Sequence, residues 1–266
     1  MNIRVWGTVL LGICLGMAVQ ADDLDTILQK QEVVIGVKDA SPPFGVYDKA
    51  KGTVSGYDID FALGIAKRLG AKPVFRTVNP DDRVPFLQER KVDLVIATFT
   101  KSPERERLLE FSLGYFVTGQ KFLVAAGKYQ RVDELNHARI GVVNASTSEK
   151  TLRKQMPEAQ VMPNEDYPEM VRMLQAGQLD AISTDEPILA GLLSKMSNRS
   201  KFEIMSTAIT FESYGVGMRK GEKKLLKAVN DALLDMENTG EAKRIFDRWF
   251  GPNSSMPMMR FFTIRN

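Results

Sequence analysis

Short apolar runs alternate with helical patterns along most of the chain. Several of the runs are too uniformly apolar to leave one face in solvent, which predicts buried strands. Strands are expected at residues 33–37, 73–78, 92–98, 121–126, 140–143, 179–184 and 214–218. Helices are expected at residues 57–69, 83–90, 147–155, 167–176, 186–196 and 222–237. The alternation predicts an α/β fold with largely parallel sheets.

The pattern changes at two places, near residues 114–119, where we expect a turn-rich break, and near residues 209–215. Two crossings fit a lobe that begins, leaves for an inserted second lobe, and is completed by the C-terminal part. We therefore expect a first lobe of residues 22–119 plus 211–266 and a second lobe of residues 120–210. The groove between two such lobes is the natural ligand site.

The chain starts with the pattern of a secretory signal peptide. A short basic start through Arg4 precedes an almost uncharged apolar run at 5–19, and Ala21 ends a cleavage-site pattern. The run is shorter than the ~20 residues that a membrane-spanning helix needs. Cys14 lies inside the run and not after it, so we expect no lipid anchor. Residues 1–21 are predicted to be removed, which places the mature protein in the periplasm.

Composition narrows the function classes. The formal charge is +3 with no basic arm or charge block, so nothing supports nucleic-acid binding. The predicted mature chain is long enough for two lobes and has no cysteine, which excludes disulfides, a thiol nucleophile and a cysteine metal site. The single histidine, His137, argues against zinc and is expected at the surface. We expect no cofactor and no metal.

Five segments carry a resemblance to a known family. The helix GYDIDFALGIA at residues 56–66 resembles the signature helix of the family 3 bacterial extracellular solute-binding proteins, the receptors of polar amino-acid ABC importers. The resemblance continues through KVDLVIAT at 91–98, PER at 103–105, EFS at 110–112 and RWFG at 248–251. It covers nearly the whole predicted mature chain.

The resemblance implies a two-lobed type II periplasmic binding protein fold, each lobe a mostly parallel sheet flanked by helices. It implies a monomeric receptor that closes by a hinge around an amino acid and delivers it, chemically unchanged, to a membrane permease. The signature helix itself is interpreted as structural: Asp58 and Asp60 lie in its first turn, where negative charge suits the helix dipole.

Three candidate binding residues of the first lobe, Thr98, Thr100 and Arg105, follow a buried strand. Open parallel sheets form ligand crevices at that end of their strands. An arginine there can grip an α-carboxylate with two parallel hydrogen bonds, and threonine hydroxyls can add to the same shell. The family places its carboxylate-binding arginine six residues before the Phe of a Phe-Ser pair, and Arg105 and Phe111 have that spacing. Arg107 breaks the spacing and is expected at the surface.

The second lobe offers polar residues at the ends of two further strands. Asp185 follows the run at 179–184, and the family's aspartate at that place receives the ligand's α-ammonium group. The alternative is a helix N-cap, since a helix is expected from Glu186. Ser146 and Thr147 open another helix, where hydroxyls and free backbone amides can face an anionic group. Capping alone is the alternative for these two residues as well.

Selectivity depends on two further cations. The segment DRVPFL at 82–87 resembles the Asn-Arg-Ile-Pro segment of glutamate/aspartate-binding members, although Asp82 replaces the asparagine. Lys38 matches the place where some of those members carry a basic side chain. With Arg105, Lys38 and Arg83 give three cations against one pocket anion, so a ligand with two carboxylates would balance the site. This favours L-glutamate or L-aspartate.

Other ligands and functions stay open. Some acidic-ligand relatives have lysine where this chain has Ser41, and Lys38 has an alternative as an exposed charge. The Arg83 segment also occurs in family members of less certain ligand, so glutamine or another polar amino acid stays an alternative. A different class of function is an enzyme on the same scaffold, related to cyclohexadienyl dehydratase, which needs a positioned acid or base. A third is a sensing partner of a chemoreceptor or sensor kinase.

Overall fold

The computed structural model describes residues 22–265. The predicted signal peptide, with Cys14, therefore lies outside the described residues. The helices are α1 (Asp23–Lys30), α2 (Tyr57–Arg68), α3 (Arg83–Gln88), α4 (Pro103–Leu108), α5 (Thr147–Gln155), α6 (Tyr167–Gln175), α7 (Glu186–Lys195), α8 (Lys223–Asn238) and α9 (Glu241–Phe250), with short 3-10 helices at Val132–Leu135 and Arg199–Lys201.

The strands build two large sheets and one small one. The strands are β1 (Glu32–Val37), β2 (Ala40–Ser41), β3 (Gly45–Asp48), β4 (Thr53–Ser55), β5 (Lys72–Thr77), β6 (Leu94–Val95), β7 (Leu109–Thr118), β8 (Gln120–Ala125), β9 (Arg139–Val143), β10 (Gln160–Asn164), β11 (Ala181–Asp185), β12 (Phe202–Ile204) and β13 (Glu212–Arg219).

Each large sheet is parallel at one side and antiparallel at the other. The first has the order β5-β1-β6-β13-β7, in which β13 runs antiparallel to its neighbours. The second has the order β10-β9-β11-β8-β12, in which β8 runs antiparallel to its neighbours. We call the parts built on these sheets the first and second lobes. The predicted two-lobed α/β fold is confirmed.

The chain passes between the sheets twice. Gly119 alone separates β7 from β8, and the chain returns between Ile204 and Glu212. The two passages touch, because a Cβ built on Gly119 would lie 2.3 Å from the carbonyl oxygen of Thr210. Only glycine allows that approach. The expected boundaries at 119/120 and 210/211 stay a prediction, and they lie within these passages.

Two local expectations were wrong. The turn-rich break expected at 114–119 is the end of a continuous strand, β7, whose polar Glu110, Ser112 and Thr118 hide it from a search for apolar runs. The strand expected at 92–98 shrinks to Leu94–Val95. Backbone hydrogen bonds to β1 extend to Asp93 and Ile96 on either side, and the other apolar residues of the run are buried outside the strand, since burial and strand pairing leave the same apolar pattern.

The signature helix α2 anchors the first lobe. Tyr57 packs edge-on against Phe44 and against Phe250 of α9, with ring centroids 5.7 and 5.5 Å apart. Asp60 accepts hydrogen bonds from the Trp249 indole at 2.7 Å and from Arg248 at 2.9 Å. The first and last segments of the resemblance, far apart in sequence, therefore contact each other.

The C-terminal segment packs on the same lobe. The Phe262 ring lies 5.3 Å from Phe116 and 6.0 Å from Phe246, and Ile264 is buried. Arg260 forms an ion pair with Glu237 of α8. Among residues 22–265 no helix is long and apolar enough to cross a membrane.

Candidate functional site

A small buried cavity lies where the two lobes meet. Its volume is about 30 Å³, room for a few water molecules, whereas pockets for organic ligands measure roughly 300–1,000 Å³. The cavity in this structure is therefore smaller than an amino acid needs. Six of the eight predicted binding residues line this cavity, namely Lys38, Arg83 and Thr98 from the first lobe and Ser146, Thr147 and Asp185 from the second.

Asp185 ends β11 and occupies the N-cap position of α7, but its carboxylate makes no capping hydrogen bond. Instead the Tyr214 hydroxyl donates to Oδ2 across the lobe boundary. Oδ1 is buried and has no hydrogen-bond partner among the described residues. Burial, and then the nearby Glu212 carboxylate, raise the pKa of Asp185 to about 7. The N-cap alternative therefore does not account for this side chain, which keeps an open acceptor.

Arg83 begins α3 and supplies the opposite charge. It is 6% exposed, and its Nε has no hydrogen-bond partner within residues 22–265. Burial lowers its pKa. Arg83 and Asp185, which both line the cavity, thus each carry a buried hydrogen-bonding atom without a partner among the described residues. Since unfilled buried polar atoms cost free energy, the pair suits a small molecule that carries both an anion and a cation.

Arg105 and Thr100 lie beside the cavity and not in its lining. Arg105 in α4 donates from Nη1 to the Thr100 carbonyl oxygen at 3.0 Å. Its guanidinium carbon lies 4.7 Å from the Phe99 ring centroid, and that of Arg83 lies 5.5 Å from the same ring. Burial, and then the neighbouring Arg83, lower the pKa of Arg105 to about 10. Arg107, the competing candidate, is exposed.

Phe99 is a site residue that sequence reasoning missed. Its ring is fully buried and packs 4.9 Å from Phe111, the residue that set the spacing for Arg105. Both arginines stack on it, which holds two like charges on one aromatic platform. The only sequence signal was its place between Thr98 and Thr100 after an apolar run.

Thr98 has a left-handed backbone, with φ of 46°, which is uncommon for a threonine. Its N–H donates to Asp58 Oδ2 at 2.7 Å, while Asp58 Oδ1 accepts from the Tyr115 hydroxyl at 2.8 Å. Burial raises the pKa of Asp58 to about 7. The first aspartate of the signature helix therefore does more than complement a helix dipole, because it holds a binding-site turn in place.

The start of α5 brings Ser146 and Thr147 to the cavity. The Ser146 hydroxyl accepts from the Glu149 N–H at 3.1 Å, so capping is present. Thr147 is the first residue of the helix, and Ala145 before it has φ of 56°. Free N–H groups and a hydroxyl at a helix N-terminus favour an anion.

Lys38 is buried, and the alternative of an exposed charge at a strand end is wrong for it. Its Nζ donates to Asn79 Oδ1 at 2.8 Å and lies 3.7 Å from an Asp39 carboxylate oxygen. Burial lowers its pKa. Lys38 also borders a larger groove of about 830 Å³ between the lobes, so it lies between that groove and the small cavity.

A second carboxylate near the cavity, Glu212, was also missed. It is 7% exposed, and it accepts hydroxyl hydrogen bonds from Thr100 at 2.8 Å and Thr210 at 2.9 Å. The expected count of one anion against three cations therefore needs correction, because Glu212 is buried near Asp185 and Asp58 is buried near Arg83. Glu212 lies in a polar strand start with no neighbouring motif, so its sequence gave no signal.

No metal site is visible in the part of the chain that the structure describes, where no three His, Cys, Asp or Glu residues cluster in a suitable way. His137 lies at the surface, 3.7 Å from Glu158.

Three known proteins of similar sequence bind amino acids according to their names. The chain is 34% identical to the ABC transporter glutamine-binding protein GlnH of Bacillus subtilis, over 86% of this chain and 84% of that one. It is 29% identical to the L-cystine-binding protein TcyJ of Escherichia coli, over 92% and 94%. It is 29% identical to the glutamate/aspartate import solute-binding protein of Escherichia coli, over 94% and 89%.

Solved structures agree with the sequence comparison. The ancestral amino acid-binding protein AncCDT-1, a precursor of cyclohexadienyl dehydratase, superposes with a TM-score of 0.79 at 31% identity, covering 86% of this chain and 99% of that one. An ancestral arginine-binding protein bound to glutamine gives 0.78 at 33%, covering 83% and 98%. The model of one family matches residues 33–252. The chain belongs to the bacterial extracellular solute-binding proteins, family 3.

Proposed function

We propose that this protein is the substrate-binding receptor of an amino-acid ABC importer, which closes on a polar L-amino acid and delivers it to a membrane permease. The observation that carries the proposal is the pair of unfilled buried atoms, Arg83 Nε and Asp185 Oδ1, at one cavity between the lobes. An amino acid offers both a carboxylate and an ammonium group to such a pair. The names of the similar proteins support the ligand class and the transporter.

Asp185 of the second lobe and Arg105 of the first lobe are the two residues that bind the charged groups of the ligand. The α-ammonium donates to Asp185 Oδ1, since Tyr214 already occupies Oδ2. The α-carboxylate binds Arg105. Among the described residues, only Nη1 of this side chain donates a hydrogen bond, to the Thr100 carbonyl oxygen. The N-terminus of α5, with Ser146, adds donors from the second lobe. Lobe closure then completes the shell and marks the loaded state.

L-Glutamate or L-aspartate is the first ligand candidate. The charged side chains that line the cavity are Lys38, Arg83 and Asp185, two cations against one carboxylate. A ligand with net charge −1 balances that lining, and unbalanced buried charge is costly. The similarity to the glutamate/aspartate import protein supports this candidate.

L-Glutamine is the second candidate. Counting the buried carboxylates that adjoin the lining, Glu212 and Asp58, the site holds three anions against Lys38, Arg83 and Arg105. A neutral zwitterion leaves that balance intact. The similarity to the glutamine-binding protein, at 34% identity, supports this reading.

We further propose that the protein acts in the periplasm and returns its ligand unchanged, without catalysis, cofactor or metal, as a monomer. A dehydratase of the same fold would instead eliminate water from its ligand. Recovery of the added ligand by NMR after long incubation distinguishes the two, since an unsaturated product that has lost water would contradict the binding-only proposal.

The test is calorimetric titration of ligand-stripped protein, produced without residues 1–21, with L-glutamate, L-aspartate, L-glutamine, L-arginine and L-cystine. We expect binding of one of the polar amino acids at a Kd on the order of micromolar, about −8 kcal/mol. Arg105→Ala should abolish it. Arg107→Ala, an exposed arginine two residues away, is the matched control and should bind as the wild type does.

The outcomes separate the parts of the proposal. Failure of all five amino acids to bind would overturn the receptor function. Equal affinity of Arg105→Ala and Arg107→Ala would remove Arg105 from the α-carboxylate. Preference for L-glutamine over L-glutamate would retire the acidic candidate and leave the receptor in place.

A further inference from the structure

Glu212 is a buried carboxylate at the point where the chain re-enters the first lobe. It begins β13, directly after the segment that returns from the second sheet, and is 7% exposed. Oε2 accepts from the Thr100 hydroxyl at 2.8 Å and Oε1 from the Thr210 hydroxyl at 2.9 Å. Two hydroxyls, one beside the ligand cavity and one in the return segment, are thus both turned toward this carboxylate.

The hydrogen bond to Glu212 determines whether the Thr100 hydroxyl can donate to a ligand or only accept from it. A hydroxyl carries one proton, and Thr100 gives it to Glu212. Its oxygen then offers only lone pairs to any other group. A ligand carboxylate cannot receive a hydrogen bond from it, whereas an ammonium group can donate to it. Thr100, expected from the sequence in the carboxylate shell, therefore belongs to the ammonium side of the cleft.

Glu212 also adds charge on that side. Asp185 is close enough for the Glu212 carboxylate to contribute, after burial, to its raised pKa. The charge of Glu212 also acts to raise the pKa values of Arg105, Tyr167 and Tyr214. Two carboxylates and a lone-pair-bearing hydroxyl therefore surround the place proposed for the ligand's ammonium.

We propose that Glu212 is a specificity-determining residue, which fixes Thr100 as an acceptor for the ligand's ammonium and disfavours further negative charge on the ligand. The inference rests on the proposed function, in which the cleft takes an amino acid. A carboxylate at this place adds an attraction for the ligand's ammonium group and a repulsion for a second carboxylate on the ligand side chain. Glu212 thereby sets the balance between acidic and neutral amino acids of similar size.

The first experiment compares L-glutamate and L-glutamine binding by titration calorimetry in Glu212→Gln, which keeps the size of the side chain and removes its charge. Affinity for L-glutamine should fall by about tenfold, and the ratio of glutamate to glutamine affinity should rise by about tenfold. Glu158→Gln, an exposed glutamate in the second lobe, is the matched control and should leave both affinities unchanged. Glu212→Asp keeps the charge and should keep the wild-type ratio.

The second experiment isolates the hydroxyl and stays informative if Glu212→Gln does not fold. Thr100→Val removes the acceptor and leaves Glu212 in place with its hydrogen bond from the Thr210 hydroxyl. It should weaken L-glutamate and L-glutamine by the same factor and leave binding of glutarate, which has no amino group, at its wild-type strength.

Two results would overturn the inference. One is an unchanged glutamate-to-glutamine ratio in folded Glu212→Gln. The other is a loss of glutarate affinity in Thr100→Val as large as the loss for L-glutamate, because Thr100 would then donate to a carboxylate. Failure of the wild-type protein to bind any amino acid is a different result, which overturns the proposed function itself.

Discussion

Asp185 and Asp58 are two buried carboxyl groups with similar pKa values and different consequences. Burial is the main cause that raises both pKa values to about 7. Asp185 has an open acceptor at the cavity, so its protonation state affects the ligand. Both oxygens of Asp58 have partners, the Thr98 N–H and the Tyr115 hydroxyl, so its protonation state affects stability.

Ligand affinity should depend on pH through Asp185. The ammonium group needs the ionised carboxylate, which Asp185, buried in the closed form, loses as pH falls below about 7. To the extent that the ligand-free protein is closed, affinity should then fall by up to about tenfold per pH unit below that value, because binding displaces one proton. Titration calorimetry between about pH 5 and 8 measures this. Asp185→Asn should bind weakly with a flat profile, and a flat profile in the wild type would contradict the assignment.

Stability should depend on pH through Asp58. Its pKa is about 7 in the folded protein and about 3.9 in an unfolded chain. The folded state therefore binds the extra proton, and its stabilising effect, complete below about pH 4, is lost as pH rises toward 7. Asp58→Asn should flatten the fall of Tm over this range, by on the order of a few degrees.

Thermal melts of ligand-free protein followed by circular dichroism check this effect. Tyr115→Phe is the companion variant, since loss of its hydrogen bond raises the Asp58 pKa further and moves the fall in Tm to higher pH. Parallel curves for wild type and Asp58→Asn would show that Asp58 does not titrate in this range.

The site residues that could be predicted from the sequence are those that lie within or at a fixed spacing from a local motif. Asp185 and Arg105 have fixed spacings from strand ends or from Phe111, so a local pattern was enough. Glu212 becomes a site residue only because β13 lies beside β7 and next to Thr100, more than a hundred residues away in the chain. Contacts of that kind depend on the closed fold and leave no local trace.

At the scale of elements, amphipathic helices were the most predictable. The helix expected at 147–155 is α5 with the same bounds, because a Ser146 cap opens it and Leu152 lies on its buried face. Strands whose exposed or polar positions interrupt the apolar run were missed, among them β7 and β10. The pairing partner, not local composition, makes such segments strands.

Helix α7 touches the first lobe through a glycine. A Cβ on Gly191 would lie 2.5 Å from the Pro42 carbonyl oxygen, a backbone atom of the opposite lobe. Gly191→Ala should therefore hinder closure and weaken ligand affinity by about tenfold. The same change should not lower the Tm of the ligand-free protein, since alanine favours a helix interior by ~1 kcal/mol over glycine.

Opposite signs for affinity and stability are the diagnostic result for Gly191→Ala. Ser194→Ala, in the same helix, removes only a hydroxyl that bonds to the Gly191 carbonyl and should leave affinity unchanged. Wild-type affinity in Gly191→Ala would show that this contact is not needed for closure.

At the scale of the whole molecule, the lobes meet through apolar as well as polar contacts, since one buried hydrophobic cluster includes Phe44 of the first lobe and Ile188 of the second. Besides the cavity residues and Gly191, Lys150 of the second lobe forms an ion pair with Glu104 of the first at 2.9 Å. Both side chains are largely exposed, and such pairs contribute ~0–1 kcal/mol. This exposed pair therefore adds little to closure.

An empty closed cavity is energetically unfavourable for this molecule. Each buried polar atom without a partner costs ~1–3 kcal/mol, and Arg83 Nε and Asp185 Oδ1 are two such atoms that charge makes more costly. When the lobes separate, water can form hydrogen bonds with both of these atoms. The ligand-free protein should thus populate an open state, and a ligand that binds the closed state should shift the population.

Small-angle X-ray scattering tests this balance through the radius of gyration, which should fall when the bound amino acid is added. A variant with Arg83→Met and Asp185→Leu removes both unfilled atoms and keeps apolar volume, so it should be compact without ligand. An equal radius of gyration for wild type with and without ligand would mean that closure does not depend on filling these two groups. If the double variant is compact without ligand and the wild type is not, then ligand binding is coupled to lobe closure through the hydrogen bonds that the ligand supplies to Arg83 and Asp185.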